Sequence, residues 1–234
     1  MNTVLFFLIF LLTLAVSYLL GSINFAIILS RLMTHDDVRR HGSGNAGTTN
    51  MIRTAGALPG ALTLLGDFVK GAAAILIGRY LAFPWLAGHA PEALAPFLHP
   101  EYGVYLSGIF CQLGHIFPVF FGFKGGKGVA TTLGIMMFID WRAALLALAV
   151  FIILFAIFRI VSLGSVAAAA SLPLFTFLLT RADYNMYNLY LPSRWYIPTI
   201  LSAVLGLIII LKHVDNIKRL MRGEEKKLSL KKHD

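Results

Sequence analysis

Long apolar runs dominate the chain, cut by short polar islands. The runs cover residues 4–30, 55–81, 102–121, 129–139, 143–158, 163–180 and 197–211. None shows the two-residue alternation of a barrel strand, and in lipid only helices and closed barrels satisfy every backbone polar group. All seven are therefore predicted helices, several approaching the ~20 residues that cross a bilayer. The fold class predicted is all-α, a polytopic integral membrane protein with seven transmembrane helices. The fourth and fifth runs are short and separated only by Asp140, Trp141 and Arg142, so one long helix is the alternative.

Charge decides between them. Only 13% of the 234 residues are charged and 58% are hydrophobic, at a mean hydropathy of +0.77; a soluble domain carries about a quarter charged residues. The net charge of +9 is unevenly placed. Seven helices with the N-terminus outside and the C-terminus cytoplasmic put Arg31, Arg39, Arg40, Arg53, Lys124, Lys127, Arg159 and the basic tail of 212–232 on one face. The opposite face keeps only Arg79, Arg142, Arg181 and Arg194. Fusing the fourth and fifth runs moves the tail outside, against the positive-inside rule.

The first run lacks a basic n-region and exceeds the roughly 7–15 residues of a signal core, so it reads as an uncleaved helix. Because most of the basic excess sits beside the last helix, it argues against nucleic acid and for an anchor to anionic lipid. Loop 82–101 has no Lys or Arg and reads as an external cap or interfacial segment. A lone Cys111 forms no intrachain disulfide and reads as a small core residue. The chain is one membrane-embedded domain, 1–234, with a basic tail from about 212.

Two polar islands face the cytoplasm in this topology. In the first, HGSGNAGTTNMIR at 41–53, Gly42, Gly44 and Gly47 permit positive φ and close ligand approach. Ser43, Asn45, Thr48, Thr49 and Asn50 add neutral hydrogen-bonding groups, and Arg53 a two-pronged donor suited to phosphate. The island runs into a helix N-terminus, a natural anion site. A plain capped turn explains the glycines but not Arg53.

The second island, GFKGGKGVATT at 122–132, places Lys124, Gly125, Gly126, Lys127 and Gly128 before Thr131. It is not a Walker A loop, because Gly128 follows Lys127 and Phe121 stands at the first glycine position. It reads as a nest of amides with two cations. A short positive-inside loop explains its lysines but not its glycines.

Asp67 and Lys70, three apart, share one helix face and read first as a structural pair, since charges at membrane depth must pair or face the interior. His115 at a helix end also reads as structural. Arg159 and Ser162 form an inner loop, and His213 and Asn216 face the same way after the last run. No histidine is followed five positions later by aspartate, the pair of the acyl-CoA acyltransferases. The acidic ladder of the CDP-alcohol phosphotransferases is missing too, and no Cys/His cluster offers a metal site.

The segments GSIN.A at 21–26, GSGNAGTTN..R at 42–53, D..KG at 67–71, GH.FPVFFGFKGGKGVAT at 114–131, R.VSLGS at 159–165 and KH..NIKRL..GEE at 212–225 together resemble the PlsY family. These are bacterial acyl-phosphate:glycerol-3-phosphate acyltransferases, and the motifs run in order through nearly the whole chain. The resemblance implies a seven-helix inner-membrane enzyme, its site facing the cytoplasm, which acylates the 1-hydroxyl of glycerol 3-phosphate from acyl phosphate. The product is lysophosphatidic acid. It implies no cofactor and no metal, and as functional neighbour an enzyme that makes acyl phosphate.

Ser43, Asn45, Asn50, Arg53, Lys124, Lys127, His213 and Asn216 match the family's polar site residues. Ser43, Arg53, Lys127, His213 and Asn216 form the candidate catalytic set. Gly42, Gly44, Asn45, Asn50, Lys124, Gly125, Gly126, Gly128 and Thr131 form the phosphate-binding set, with Asp67, Lys70, His115 and Ser162 supporting. Ala46 departs from the motif, which frequently has proline there. Lys127, the amides of 124–128 and Ser43 are assigned to the acyl phosphate, Arg53 and His213 to the glycerol phosphate, and Asn216 to the attacking hydroxyl; the reverse division of the two phosphates stays open. A permease for a phosphorylated metabolite predicts polar groups from face to face, whereas these cluster on one side. A non-catalytic scaffold leaves both islands unexplained.

Overall fold

The computed structural model describes residues 3–89, 100–187 and 196–228, and every apolar run read from the sequence is helical within them. Arg194, residues 90–99 of loop 82–101 and the last tail residues lie outside the described residues.

The first run is two helices, α1 (Thr3–Ser22) and α2 (Phe25–Thr34). Buried Asn24 causes the break: its backbone is extended and its Oδ1 accepts from the Ile27 amide at 3.1 Å, capping α2. An asparagine cap competes well with helix continuation. The carbonyl of Ile23 is thereby released from the helical ladder.

The first island forms a helix of its own, α3 (Thr48–Ala55), instead of running into the long one. Gly56, at φ 99°, turns the chain into α4 (Ala57–Ile77), which continues through a π-helical turn (Gly78–Ala82) into α5 (Phe83–Gly88). Next come α6 (Pro100–Ile116), a 3-10 turn (Val119–Phe121) and the second island, which opens α7 (Val129–Ile139). Asp140 ends α7 in extended backbone and caps α8 (Trp141–Phe158), accepting from the Arg142 amide at 3.1 Å. The fourth and fifth runs are therefore two helices. Arg159, at φ 61°, turns α8 into α9 (Val161–Tyr187), and α10 (Ile197–Lys212) bends by 62° at His213 into α11 (Val214–Met221).

Among the described residues, five helical stretches are long and apolar enough to cross a membrane, or six if the bent α10–α11 pair counts as one. With eleven residues, α7 reaches about 16 Å at 1.5 Å per residue, roughly half the hydrocarbon thickness. Length alone therefore does not give seven crossings.

Small residues let the helices touch backbone to backbone, as helices in lipid must when no hydrophobic drive separates them from the acyl chains. A methyl group on Gly114 of α6 would lie 2.0 Å from the Tyr18 carbonyl oxygen of α1, and one on Gly134 of α7 would lie 2.1 Å from that of Phe68 of α4. Phe6, Ile75, Leu86, Val104, Ile135 and Leu205 fill the core between them. At the end remote from the islands, Arg142 is clasped by Asp140 at 3.0 Å and by Asp183 of α9 at 2.7 Å, which cancels its charge.

Candidate active site

Asn50 shapes the first island. Buried on α3, it accepts from the Ser43 amide at 2.9 Å and donates at 3.0 Å to the carbonyls of both Val38 and His41. Its amide is thus committed to backbone and positions the loop. Gly42, at φ 61°, closes over it: a Cβ there would sit 2.2 Å from Asn50 Oδ1.

The second island is moored the same way. The Gly125 amide donates to the Ile116 carbonyl at 3.1 Å and the Gly126 amide to that of His115 at 3.2 Å. Two amides of the predicted nest are therefore spent on the end of α6. Arg39 ties the loop from the other side, donating to the carbonyls of Phe121 at 2.8 Å and Lys124 at 3.0 Å. A methyl on Gly126 would meet His115 Nε2 at 2.3 Å and the Ala46 carbonyl oxygen at 2.5 Å, so the two islands are in contact.

Under this contact lies a buried triad. The Lys70 ammonium sits 2.8 Å from Asp67, 2.8 Å from the Ile23 carbonyl and 2.9 Å from His115 Nδ1. Its hydrogen bonds go to the carbonyl and the imidazole, while Asp67 faces it as an ion pair. Because Nδ1 accepts, a neutral His115 carries its proton on Nε2, beside the second island.

Both islands open on a cavity of about 860 Å³. Gly42, Ser43, Gly44, Asn45, Asn50, Arg53, Asp67, His115, Gly125, Lys127, Gly128, Ser162, His213 and Asn216 all line it. Lys70, Lys124, Gly126 and Thr131 do not. Lys70 acts from beneath; Lys124 is exposed and held by its carbonyl; Gly126 and Thr131 are buried in packing, the latter with its carbonyl 2.4 Å from where a Gly71 methyl would lie. Its apolar limb is lined by Leu133 and Met136 of α7, Ala147, Phe151 and Phe155 of α8, and Leu172 of α9. Such a cavity fits an amphiphile with an anionic head.

At the polar end, Lys127 donates to Asn216 Oδ1. The other side of that amide donates to Glu225 Oε1 at 2.6 Å, which also accepts from Ser162 Oγ at 2.9 Å, while Oε2 accepts from Arg219 Nε at 2.6 Å. Burial pushes the half-buried Lys127 down to about 8, with Glu225 pulling the other way. For Glu225, burial raises the pKa, but hydrogen bonds from Asn216, Arg219 and Ser162 outweigh it and hold the carboxylate below its ordinary range. His213 is buried and its Nδ1 donates to the Ile209 carbonyl at 2.8 Å, leaving Nε2 of a neutral ring as an acceptor. Arg53 is exposed at the rim and donates to the Lys226 carbonyl at 3.3 Å.

Sequence reading missed Asp215, Arg219 and Glu225 as lining residues. The tail looked like a free basic anchor, yet 224–228 folds back over the cavity, the Leu228 amide donating to the Arg159 carbonyl at 2.9 Å. The available signal was the Asn216–Arg219 spacing, which puts both on one face of a helix. Among the described residues, no three His, Cys, Asp or Glu side chains cluster as a metal site would require.

Residues 11–223 match the family model described as glycerol-3-phosphate acyltransferase. A glycerol-3-phosphate acyltransferase of Coxiella burnetii is 37% identical over 223 residues, covering 94% of this chain and 99% of that protein. One of Thioalkalivibrio sulfidiphilus is 40% identical over 217 residues, 92% of each chain. Among solved structures, the glycerol 3-phosphate form of PlsY, an integral membrane glycerol 3-phosphate acyltransferase, superposes with a TM-score of 0.75 at 35% identity, covering 94% of this chain and 96% of that one. Its lysophosphatidic acid form gives 0.73 at 33% identity with the same coverage.

Proposed function

The chain belongs to the glycerol-3-phosphate acyltransferase family, and we propose that it transfers a fatty acyl group from acyl phosphate to the 1-hydroxyl of glycerol 3-phosphate. The products are lysophosphatidic acid and inorganic phosphate. One observation carries the reading: two glycine-rich islands and Lys127, Asn216 and His213 converge on a cavity that is polar at one end and apolar along its limb.

Acyl phosphate is an activated donor with a good leaving group, so positioning and charge stabilisation suffice. The hydroxyl oxygen of glycerol 3-phosphate attacks the acyl carbonyl carbon. The bond from that carbon to the phosphate oxygen breaks, and phosphate leaves with the electron pair. The hydroxyl proton passes to a phosphate oxygen or to His213 Nε2. Lys127, with Ser43, holds the acyl phosphate head; the apolar limb takes its tail. Arg53 holds the glycerol phosphate and Asn216 orients the hydroxyl; with its ring proton spent on the Ile209 carbonyl, neutral His213 offers the glycerol an acceptor and not a phosphate donor. With Gly125 and Gly126 spent on α6, the Lys127 ammonium carries most of the second island's share.

The setting proposed is the bacterial inner membrane, with seven crossings, the N-terminus outside, and the C-terminus and active site cytoplasmic. The basic surplus beside both islands supports that orientation, as does the neutralised Arg142 at the far end. An enzyme making acyl phosphate supplies the donor.

The test is purified protein with glycerol 3-phosphate and a long-chain acyl phosphate, acyl-CoA serving as the control donor. Ester product from acyl phosphate alone is expected. If acyl-CoA alone reacts, the donor assignment falls; if neither does, the transferase reading falls.

A further inference from the structure

Glu225 stands outside the proposed chemistry, yet it gathers three donors from two helices. Ser162 reaches it from α9, Asn216 and Arg219 from α11, and the carboxylate itself rides on the folded-back tail. Its side chain is only 8% exposed although its backbone lies past the last helix. An ionised carboxylate only accepts hydrogen bonds, so it admits the NH₂ side of the Asn216 amide and rejects the carbonyl side. Asn216 Oδ1 is thereby turned to Lys127. A reversed amide would set two N–H donors against an ammonium.

We propose that Glu225 is the positioning residue of this site: from the returning tail it fixes the orientation of the Asn216 amide and, through it, the place and charge of the Lys127 ammonium. The claim rests on the transferase reading above. Around Lys127 the charged and titratable groups are Glu225 on the tail, Asp215 and Arg219 on α11, Arg53 on α3, and His213 at the bend. Of the two carboxylates, only Glu225 bonds the amide that Lys127 bonds. Arg53 and Arg219 oppose the ammonium; Glu225 and Asp215 support it.

Glu225→Gln keeps the shape, removes the charge, and replaces one acceptor oxygen with a donor, so at least one of the three donors loses its partner. In the full-length protein, kcat is expected to fall by roughly tenfold to a hundredfold, the range that misplacement of a reacting group commands. KM for glycerol 3-phosphate should change less. The alkaline limb of the pH–rate profile expected from Lys127, at about 8 in the parent protein, should move to lower pH. Glu225→Asp, which restores the charge, should recover part of both. A purely structural role would lower the yield of folded protein and leave that limb in place.

Labelling of Lys127 by an amine-selective acylating reagent, followed against pH by mass spectrometry, reads the same shift without turnover. If the parent protein transfers no acyl group, the transferase reading fails while the labelling still tests Glu225. Parental kcat in Glu225→Gln, or an unmoved Lys127 titration in correctly folded protein, overturns the proposal.

Discussion

The Lys70 ammonium lies 2.8 Å from the carbonyl oxygen of Ile23, an acceptor released when Asn24 caps α2. One polar residue thus makes a helix break, and another, far along the chain, occupies it. The same ammonium neutralises Asp67 and orients His115 beneath the two islands. Lys70→Met should leave a buried carboxylate unpaired and cost about 3–5 kcal/mol. Thermal unfolding in detergent measures it, and adding Asp67→Asn should return part of the loss. An additive double variant would argue against the coupling.

Asn50 gives a second check. Asn50→Asp keeps the acceptor for the Ser43 amide but turns an anionic oxygen toward the Val38 and His41 carbonyls. A loss of about 1–3 kcal/mol is expected for two buried acceptors without donors, along with weaker glycerol 3-phosphate binding. Parental stability and KM together would show that the island holds its shape without this latch.

For Lys127, charge and pH are linked. Burial lowers its pKa to about 8, so the ammonium is complete well below that pH and is lost as pH rises through it. Activity should follow, high below and falling above. Lys127→Arg, charged throughout, should abolish that limb even at reduced kcat, while Lys127→Ala should lose about two to three orders of magnitude, as removal of an oxyanion donor does. Arg53→Ala should also reduce turnover by orders of magnitude; near-parental rates in both alanine variants would displace the site.

The apolar limb makes a prediction about chain length. Ala147 is a small residue on its α8 wall. Ala147→Phe should shorten the acyl chain accepted, each excluded methylene forfeiting about 0.8 kcal/mol. Competition between long and short acyl phosphates reads this directly, and an unchanged preference would take the tail elsewhere.

Much of this was visible in the residues. Uninterrupted apolar runs gave the helices because lipid leaves the backbone few other options, and glycines beside cations marked both islands. Asn24 and Asp140 broke helices where their side chains cap, a local signal that hydropathy averages away. Lys124 and Lys127 look alike in sequence; only the tie from Arg39 to the Lys124 carbonyl shows which one turns outward. Glu225 was hidden for the opposite reason. Surrounded by Lys and Arg, it resembled one charge in a solvated tail, and only tertiary folding brings Ser162 to it.

The relay from Lys127 through Asn216 to Glu225 has a consequence for biosynthesis. Both islands and the apolar limb are made early, but the acceptor that sets the Asn216 amide is added nine residues after Asn216. Because chains emerge N-terminus first, a nascent or prematurely stopped polypeptide can hold every cation of the site while its key amide still turns freely. Competence for turnover therefore waits for the stretch past α11, made after the helices that carry both islands.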